Sequence, residues 1–172
     1  WYAGETAITA IGQGFTLVTP LQLANATSKL ANPSLSIKPH LLLSIDGINQ
    51  DKQKVKEKKQ SYSDENLKWV KKGMVNVTKE GGTAAFLGRK SNYQMASKTG
   101  TAQLFGLKID EEYNEDILPD KLKDHALFIT YAPAIDPEIV IAVIVENGGH
   151  GGSVAGPIAK EVLDAYLINK KL

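Results

Sequence analysis

Six consecutive residues, Lys98-Thr99-Gly100-Thr101-Ala102-Gln103, place a cation, two hydroxyls and a residue without a side chain in one short stretch. The lysine offers positive potential to an anion, and the threonine hydroxyls can hydrogen-bond a carboxylate. The glycine lets a ligand approach the main chain closely. On an edge strand a main-chain N–H, above all that of Thr101, can donate to a developing oxyanion. One such donor is worth about 2.7–4 kcal/mol of transition-state stabilisation. These groups suit a carboxylate-bearing substrate undergoing acyl transfer. The alternative is an exposed edge whose lysine discourages strand-to-strand aggregation. The tripeptide Lys98-Thr99-Gly100 alone favours that alternative, and its neighbours reverse the preference.

The chemistry needs a nucleophile, and the chain offers few. It has no cysteine, which removes disulfides, thiolate metal sites and a thiol nucleophile. Neither Ser-x-x-Lys nor Ser-x-Asn occurs anywhere in it. The 172 residues suffice for one domain or a large part of one, and a net charge of +1 gives no argument for nucleic acid. No run of about 18 apolar residues spans a membrane, and no signal-peptide pattern appears. The start at Trp1, without methionine, suggests a fragment whose targeting or anchoring segment lies upstream.

The elements that must position the Lys98 stretch follow from periodicity and caps. Thr19-Pro20 predicts a helix from Pro20 to Ala31, stopped by Asn32-Pro33, with Leu21, Ala24, Thr27 or Ser28, and Ala31 on its inner stripe. Ile37 to Ile45 reads as a strand, and Gly47 to Gln60 as a solvated hairpin or loop. Ser63 caps a helix whose buried face is Leu67, Val70, Met74 and Val77, ended by Gly81-Gly82. Thr83 to Phe86 opens a short helical turn before a loop at Gly88 to Asn92.

Met95 to Leu104 is then a strand carrying the candidate site. His125 to Tyr131 and Ile139 to Glu146 are two more, the last apolar on both faces and so expected to lie between helices. A helix from Val154 to Asn169, with Ile158, Val162, Ala165 and Tyr166 facing the core, closes the chain. This order predicts an α+β fold, an antiparallel sheet of at least three strands with flanking helices.

Other polar clusters are weaker candidates. Gly148 to Gly152 precedes a helix but lacks the Gly-Lys-Ser/Thr ending of a phosphate loop, so it reads as a turn that could rim the groove. His40, His125 and His150 have no metal-ligand spacing and read as structural, His150 least firmly because it lies in the glycine loop. The acidic residues between Lys108 and Asp124 lack a calcium-loop glycine and form a solvated connection that could gate the groove or meet a partner. The Lys52 to Lys59 run reads as a solvated loop.

Several motifs in register carry a resemblance. Trp1-Tyr2-Ala3-Gly4-Glu5-Thr6, Ile11-Gly12-Gln13-Gly14, Thr19-Pro20-Leu21-Gln22-Leu23-Ala24, Gly82-Thr83-Ala84, the Lys98 stretch, and His125-Ala126-Leu127-Phe128 with Ala132-Pro133 together resemble class B penicillin-binding proteins. Val145-Glu146-Asn147-Gly148-Gly149-His150-Gly151-Gly152, ahead of Ala155-Gly156-Pro157, is similar to the elongation type. The resemblance covers nearly the whole chain apart from Gly47 to Gln60 and Lys108 to Asp124. It implies a peptidoglycan D,D-transpeptidase that cross-links stem peptides by serine acyl transfer and is acylated by β-lactams.

On that resemblance Lys98, Thr99, Gly100 and Thr101 bind the substrate carboxylate, with Lys98 and the Thr101 N–H in catalytic roles. The nucleophile then lies upstream, residues 1–172 are the C-terminal portion of a single transpeptidase domain, and they are inactive alone. No cofactor or metal is implied. The implied partners are the stem peptide, β-lactam antibiotics, and rod-complex proteins such as MreC and the glycosyltransferase RodA. The implied location is the periplasmic side of the bacterial inner membrane. The alternatives are a penicillin-sensing or peptidoglycan-binding module without turnover and, less well matched, a β-lactamase.

Overall fold

The computed structural model describes residues 1–34, 39–42, 44–49, 62–104 and 118–168. Helices α1 (Ala3–Ala10) and α2 (Pro20–Ala31) precede a short hairpin of β1 (Ser44–Ile45) and β2 (Ile48–Asn49). Helices α3 (Asp64–Asn76) and α4 (Ala85–Arg89) lead into β3 (Ala96–Ala102). A 3₁₀ turn at Asp120–Leu122 then enters β4 (His125–Ala132), followed by β5 (Ile139–Val145) and α5 (Ala155–Leu167). The strands β3, β4 and β5 form an antiparallel sheet in that order, so β3 is an edge. This is the α+β architecture that the sequence predicts.

The pairing register sorts side chains onto two faces. Thr99 lies opposite Phe128 and Thr101 opposite Ala126, so these four share a face. That face packs against α4 and α5 through Leu87, Ala155, Ala159 and Leu163. Lys98 lies opposite Ile129 and Ala96 opposite Tyr131, on the face that Ala31 of α2 and Met74 of α3 cover. β5 therefore lies between helices, as its apolar run requires. Two hydroxyls buried in the sheet satisfy each other: Ser97 Oγ and Thr130 Oγ1 lie 2.8 Å apart.

Local chemistry explains the helix starts. Thr19 and Gln22 form a reciprocal capping box ahead of Pro20, and the Ser63 hydroxyl accepts from the Asn66 N–H at 3.2 Å. One predicted helix face, by contrast, is rotated. In α5 the buried line is Ala155, Ala159 and Leu163, while Ile158, Val162, Ala165 and Tyr166 look outward. Small residues win because the helix lies close on α4 and the sheet; a side chain on Gly156 would meet Leu87 Cδ1 of α4 at 2.8 Å and Phe128 Cε2 of β4 at 3.4 Å. In α2 and α3 the predicted stripes hold in part: Thr27, Ala31, Leu67 and Met74 are buried, whereas Leu21 and Val70 are exposed.

Other boundaries move. Of the strand expected at Ile37 to Ile45, Ser44–Ile45 is strand, turned by Asp46 and Gly47 at φ 49 and 78. Two left-handed residues in succession make the tight turn that joins hairpin strands. His40, Leu41 and Leu42 are not in a strand; positions 35–38 and 43 lie outside the described residues. Helix α3 ends at Asn76, before Gly81-Gly82, because the Thr78 hydroxyl donates to the Met95 carbonyl at 3.2 Å and draws the chain toward β3. Helix α4 continues through Gly88 to Arg89, where a loop was expected. Most of the Lys108 to Asp124 connection and all of the Lys52 to Lys59 run lie outside the described residues.

Candidate active site

Strand β3 offers one free edge, and its polarity is set by the ladder. In an antiparallel pair the N–H and C=O of a residue point to the same side, alternating along the strand. The Thr101 carbonyl accepts from Gln13 Nε2 at 2.8 Å, from the loop that follows α1. Its N–H therefore points to the same outer side. The Thr99 carbonyl is outward as well, and it accepts from Lys98 Nζ at 2.7 Å. The lysine thus folds back along the edge and brings its charge beside the backbone groups of Thr99.

The side chains of Thr99 and Thr101 open onto a cleft of ≈ 330 Å³, lined also by Thr83, Phe86 and the loop from His150 to Ser153. The Thr83 and Thr99 hydroxyls are 3.4 Å apart, a long contact that leaves both able to reach a ligand. A second cleft of ≈ 380 Å³ lies where Gln13, Gly14 and Leu17 cross Ala102 and Gln103. Both clefts flank the Lys98 stretch.

Gly151 holds the glycine loop against the sheet. A Cβ there would overlap the main-chain carbonyls of Gly100 and Leu127, so only glycine permits this approach. Gly100 itself has a packing reason beside the expected one, because a side chain on it would meet Leu127 Cβ at 3.2 Å.

Behind the cleft, α5 is fixed to the segment before β3. The Tyr93 hydroxyl donates to Asp164 Oδ1 at 2.7 Å, and Lys160 Nζ donates to the same atom at 2.7 Å. Partial burial opposes ionisation of Asp164, but the hydrogen bonds from Lys160 and Tyr93 and the Lys160 charge outweigh it and hold the carboxyl below its usual range. Burial, followed by the bond to Asp164 and that carboxylate's charge, pushes the Tyr93 hydroxyl well above its ordinary pKa.

The structure places Lys98, Thr99, Gly100 and Thr101 on one edge strand, and of these Thr99 and Thr101 meet His150 at the cleft. His125 lies at the far end of β4, opposite Ala102, and contacts the loop rather than the cleft. Sequence reasoning missed Thr83 and Phe86 as cleft residues and Gln13 as a partner of the Thr101 carbonyl. Gln13 and Thr83 lie within motifs of the resemblance, but their contacts with β3 are set by folding alone. Among the described residues no cluster of His, Asp and Glu could hold a metal ion, and no helix is long and apolar enough to cross a membrane.

An α+β sheet whose edge presents Lys-Thr-Gly beside an open cleft has the form of one wall of a serine acyl-transfer site. The chain belongs to the penicillin-binding protein transpeptidase family: the family "Penicillin binding protein transpeptidase domain" matches residues 1–164. It is 41% identical to the Haemophilus influenzae peptidoglycan D,D-transpeptidase MrdA, covering 100% of this chain and 27% of that protein. It thus spans about a quarter of that relative's length.

Solved structures agree. Pseudomonas aeruginosa PBP2 in complex with WCK 5153 is 41% identical, with TM-score 0.79 over 97% of this chain and 34% of that one. Helicobacter pylori PBP2 in complex with MreC is 31% identical, with TM-score 0.78 over 98% of this chain and 28% of that one. The ceftriaxone acyl-enzyme of M. tuberculosis penicillin-binding protein A is 31% identical, with TM-score 0.71 over 93% of this chain and 35% of that one.

Proposed function

We propose that residues 1–172 are the C-terminal portion of the single transpeptidase domain of a peptidoglycan D,D-transpeptidase of the elongation type. The observation that carries this reading is the outward edge of β3, where Thr99 and Thr101 open onto a cleft and Lys98 Nζ folds along the edge onto the Thr99 carbonyl. A stem peptide ending in D-Ala-D-Ala lies along that edge, its terminal carboxylate held by the hydroxyls of Thr99 and Thr101 and drawn in by Lys98. A serine from outside these residues attacks the penultimate carbonyl. The Thr101 N–H donates to the oxyanion as the carbonyl becomes tetrahedral. Collapse expels D-alanine and leaves an acyl-enzyme, which the amine of a second stem peptide resolves as the cross-link.

A β-lactam carries a carboxylate and a reactive acyl carbon at comparable positions and acylates the same serine. The relative trapped as a ceftriaxone acyl-enzyme supports that part of the reading. The relative solved with MreC supports MreC as a partner. RodA as a second partner, and a periplasmic site beside the inner membrane, belong to the same reading.

Labelling with a fluorescent penicillin tests it. The complete protein becomes labelled at a serine outside residues 1–172, and the 172-residue polypeptide does not. A label on a serine within these residues would overturn the division of labour.

A further inference from the structure

The loop from Asn147 to Val154 supplies one side of the cleft, yet its anchor lies on β4. The β4–β5 ladder ends at the pair of Ala126 and Val145. Two residues later Asn147 turns to φ 55, a left-handed conformation that asparagine adopts more readily than most side chains. Its N–H leaves the ladder and donates to His125 Nδ1 at 2.9 Å. Its side-chain Nδ2 donates to the Lys123 carbonyl at 3.0 Å. The Gly149 N–H donates to the Asp124 carbonyl at 2.8 Å. Three successive residues ahead of and at the start of β4 thus receive the loop.

The loop's own bonds gather at its C-terminal end, where the Val154 N–H and the Ser153 hydroxyl donate to the His150 carbonyl. Gly148, Gly149, Gly151 and Gly152 flank the single side chain of His150, and glycine leaves the backbone free to choose among many conformations. Its position therefore depends on its anchors. His125 is the one anchor that uses a side chain of the sheet, and its own backbone pairs with Ala102, the last residue of the β3 strand that carries Lys98 to Thr101. In this arrangement Nδ1 is the acceptor, which leaves Nε2 as the ring's N–H.

We infer that His125 is a positioning residue for acyl transfer: its Nδ1 seats the loop from His150 to Ser153 opposite Thr99 and Thr101. The role rests on the proposed acyl-transfer site and adds to it a residue that touches no substrate. Removing the acceptor leaves the Asn147 N–H unpaired and lets the loop shift on its glycines. The side chains of Thr99 and Thr101 then face a cleft of altered width.

The test uses the complete protein with His125→Asn, His125→Gln and His125→Leu. Asparagine places a carbonyl oxygen near the position of Nδ1, glutamine places it near Nε2, and leucine has no acceptor. The rate of acylation by a labelled penicillin and the amide exchange of Asn147 and Gly149 are read in each. The expected result is a rate within about three-fold of wild type for asparagine and about ten-fold slower for leucine and glutamine, the scale of one lost hydrogen bond. Exchange at Asn147 accelerates in the slow variants only.

Equal rates in all three variants, or slowing by asparagine as large as by glutamine, would overturn the inference. Should the leucine variant fail to fold, the asparagine and glutamine pair decides alone. A wild-type protein that is not acylated would defeat the proposed function instead, while the exchange pattern would still report the seat.

Discussion

Where the sheet meets its helices, Phe128 and Tyr131 of β4 and Leu163 of α5 are fully buried, although Ile158, Val162 and Tyr166 on the far side of α5 are exposed. From Trp1 to Leu21 the opposite holds. Helix α1 buries no residue, and Trp1, Tyr2, Ile11, Phe15, Leu17, Val18 and Leu21 are all exposed. Both regions are rich in apolar residues, so composition does not decide which one is covered. The sheet region has cross-strand partners and two helical layers within the described residues. The N-terminal region touches β3 through the Gln13 bond to Thr101 and presents an apolar surface of the kind that marks an interaction site. On the proposed reading that surface meets the remainder of the transpeptidase domain, and the contrast separates a self-sufficient core from a half-interface.

The largest test of the contrast compares two phenylalanines in the 172-residue polypeptide. Phe128→Ala should cost about 4 kcal/mol in urea unfolding, the scale for emptying a packed aromatic site. Phe15→Ala should cost less than about 0.5 kcal/mol, as exposed substitutions do. Comparable losses would mean that the N-terminal region is packed after all. A smaller effect sharpens the sheet side: Thr130→Val removes the partner of the buried Ser97 hydroxyl and should cost about 2 kcal/mol. A change within a few tenths would show that this pair contributes little.

The smallest effect concerns the tie between α5 and the approach to β3. Asp164→Asn should cost about 1 kcal/mol at neutral pH, the low end for a charge-assisted bond because the side chain is partly exposed. The folded carboxyl titrates below its unfolded value, so its contribution is complete above the unfolded pKa of about 3.9 and disappears as pH falls through the folded pKa. Unfolding curves of the two proteins should therefore converge in acid. A gap that persists at low pH would point to packing rather than charge.

Much of this arrangement was legible in residue order. Pro20 to Ala31 was bounded by a capping threonine and a terminal Asn-Pro, and β4 and β5 were bounded by turns. The Lys98 stretch was readable as a strand with Thr99 and Thr101 on one face and Lys98 on the other. Faces were less legible. In α5 the larger residues Ile158, Val162 and Tyr166 formed a plausible stripe, yet close packing on the sheet selected Ala155 and Ala159. The extended reading of Ile37 to Ile45 failed in part because Asp46 and Gly47 impose a tight turn on only two residues of strand. Long-range pairings left no local signal: nothing near Gln13 announces Thr101, nothing near His125 announces Asn147, and Gly151 shows its need for a bare backbone only once β3 and β4 lie beneath it.

The central claim is that the outer edge of β3 is the substrate-binding wall. Its most direct test is the rate of penicillin acylation of the complete protein carrying Lys98→Ala or Thr99→Val. Each substitution should slow acylation at least about ten-fold, since each removes a charged or hydroxyl contact to the ligand carboxylate, with the melting temperature close to that of wild type. Wild-type acylation rates in both variants would contradict it and remove Lys98 and Thr99 from the site.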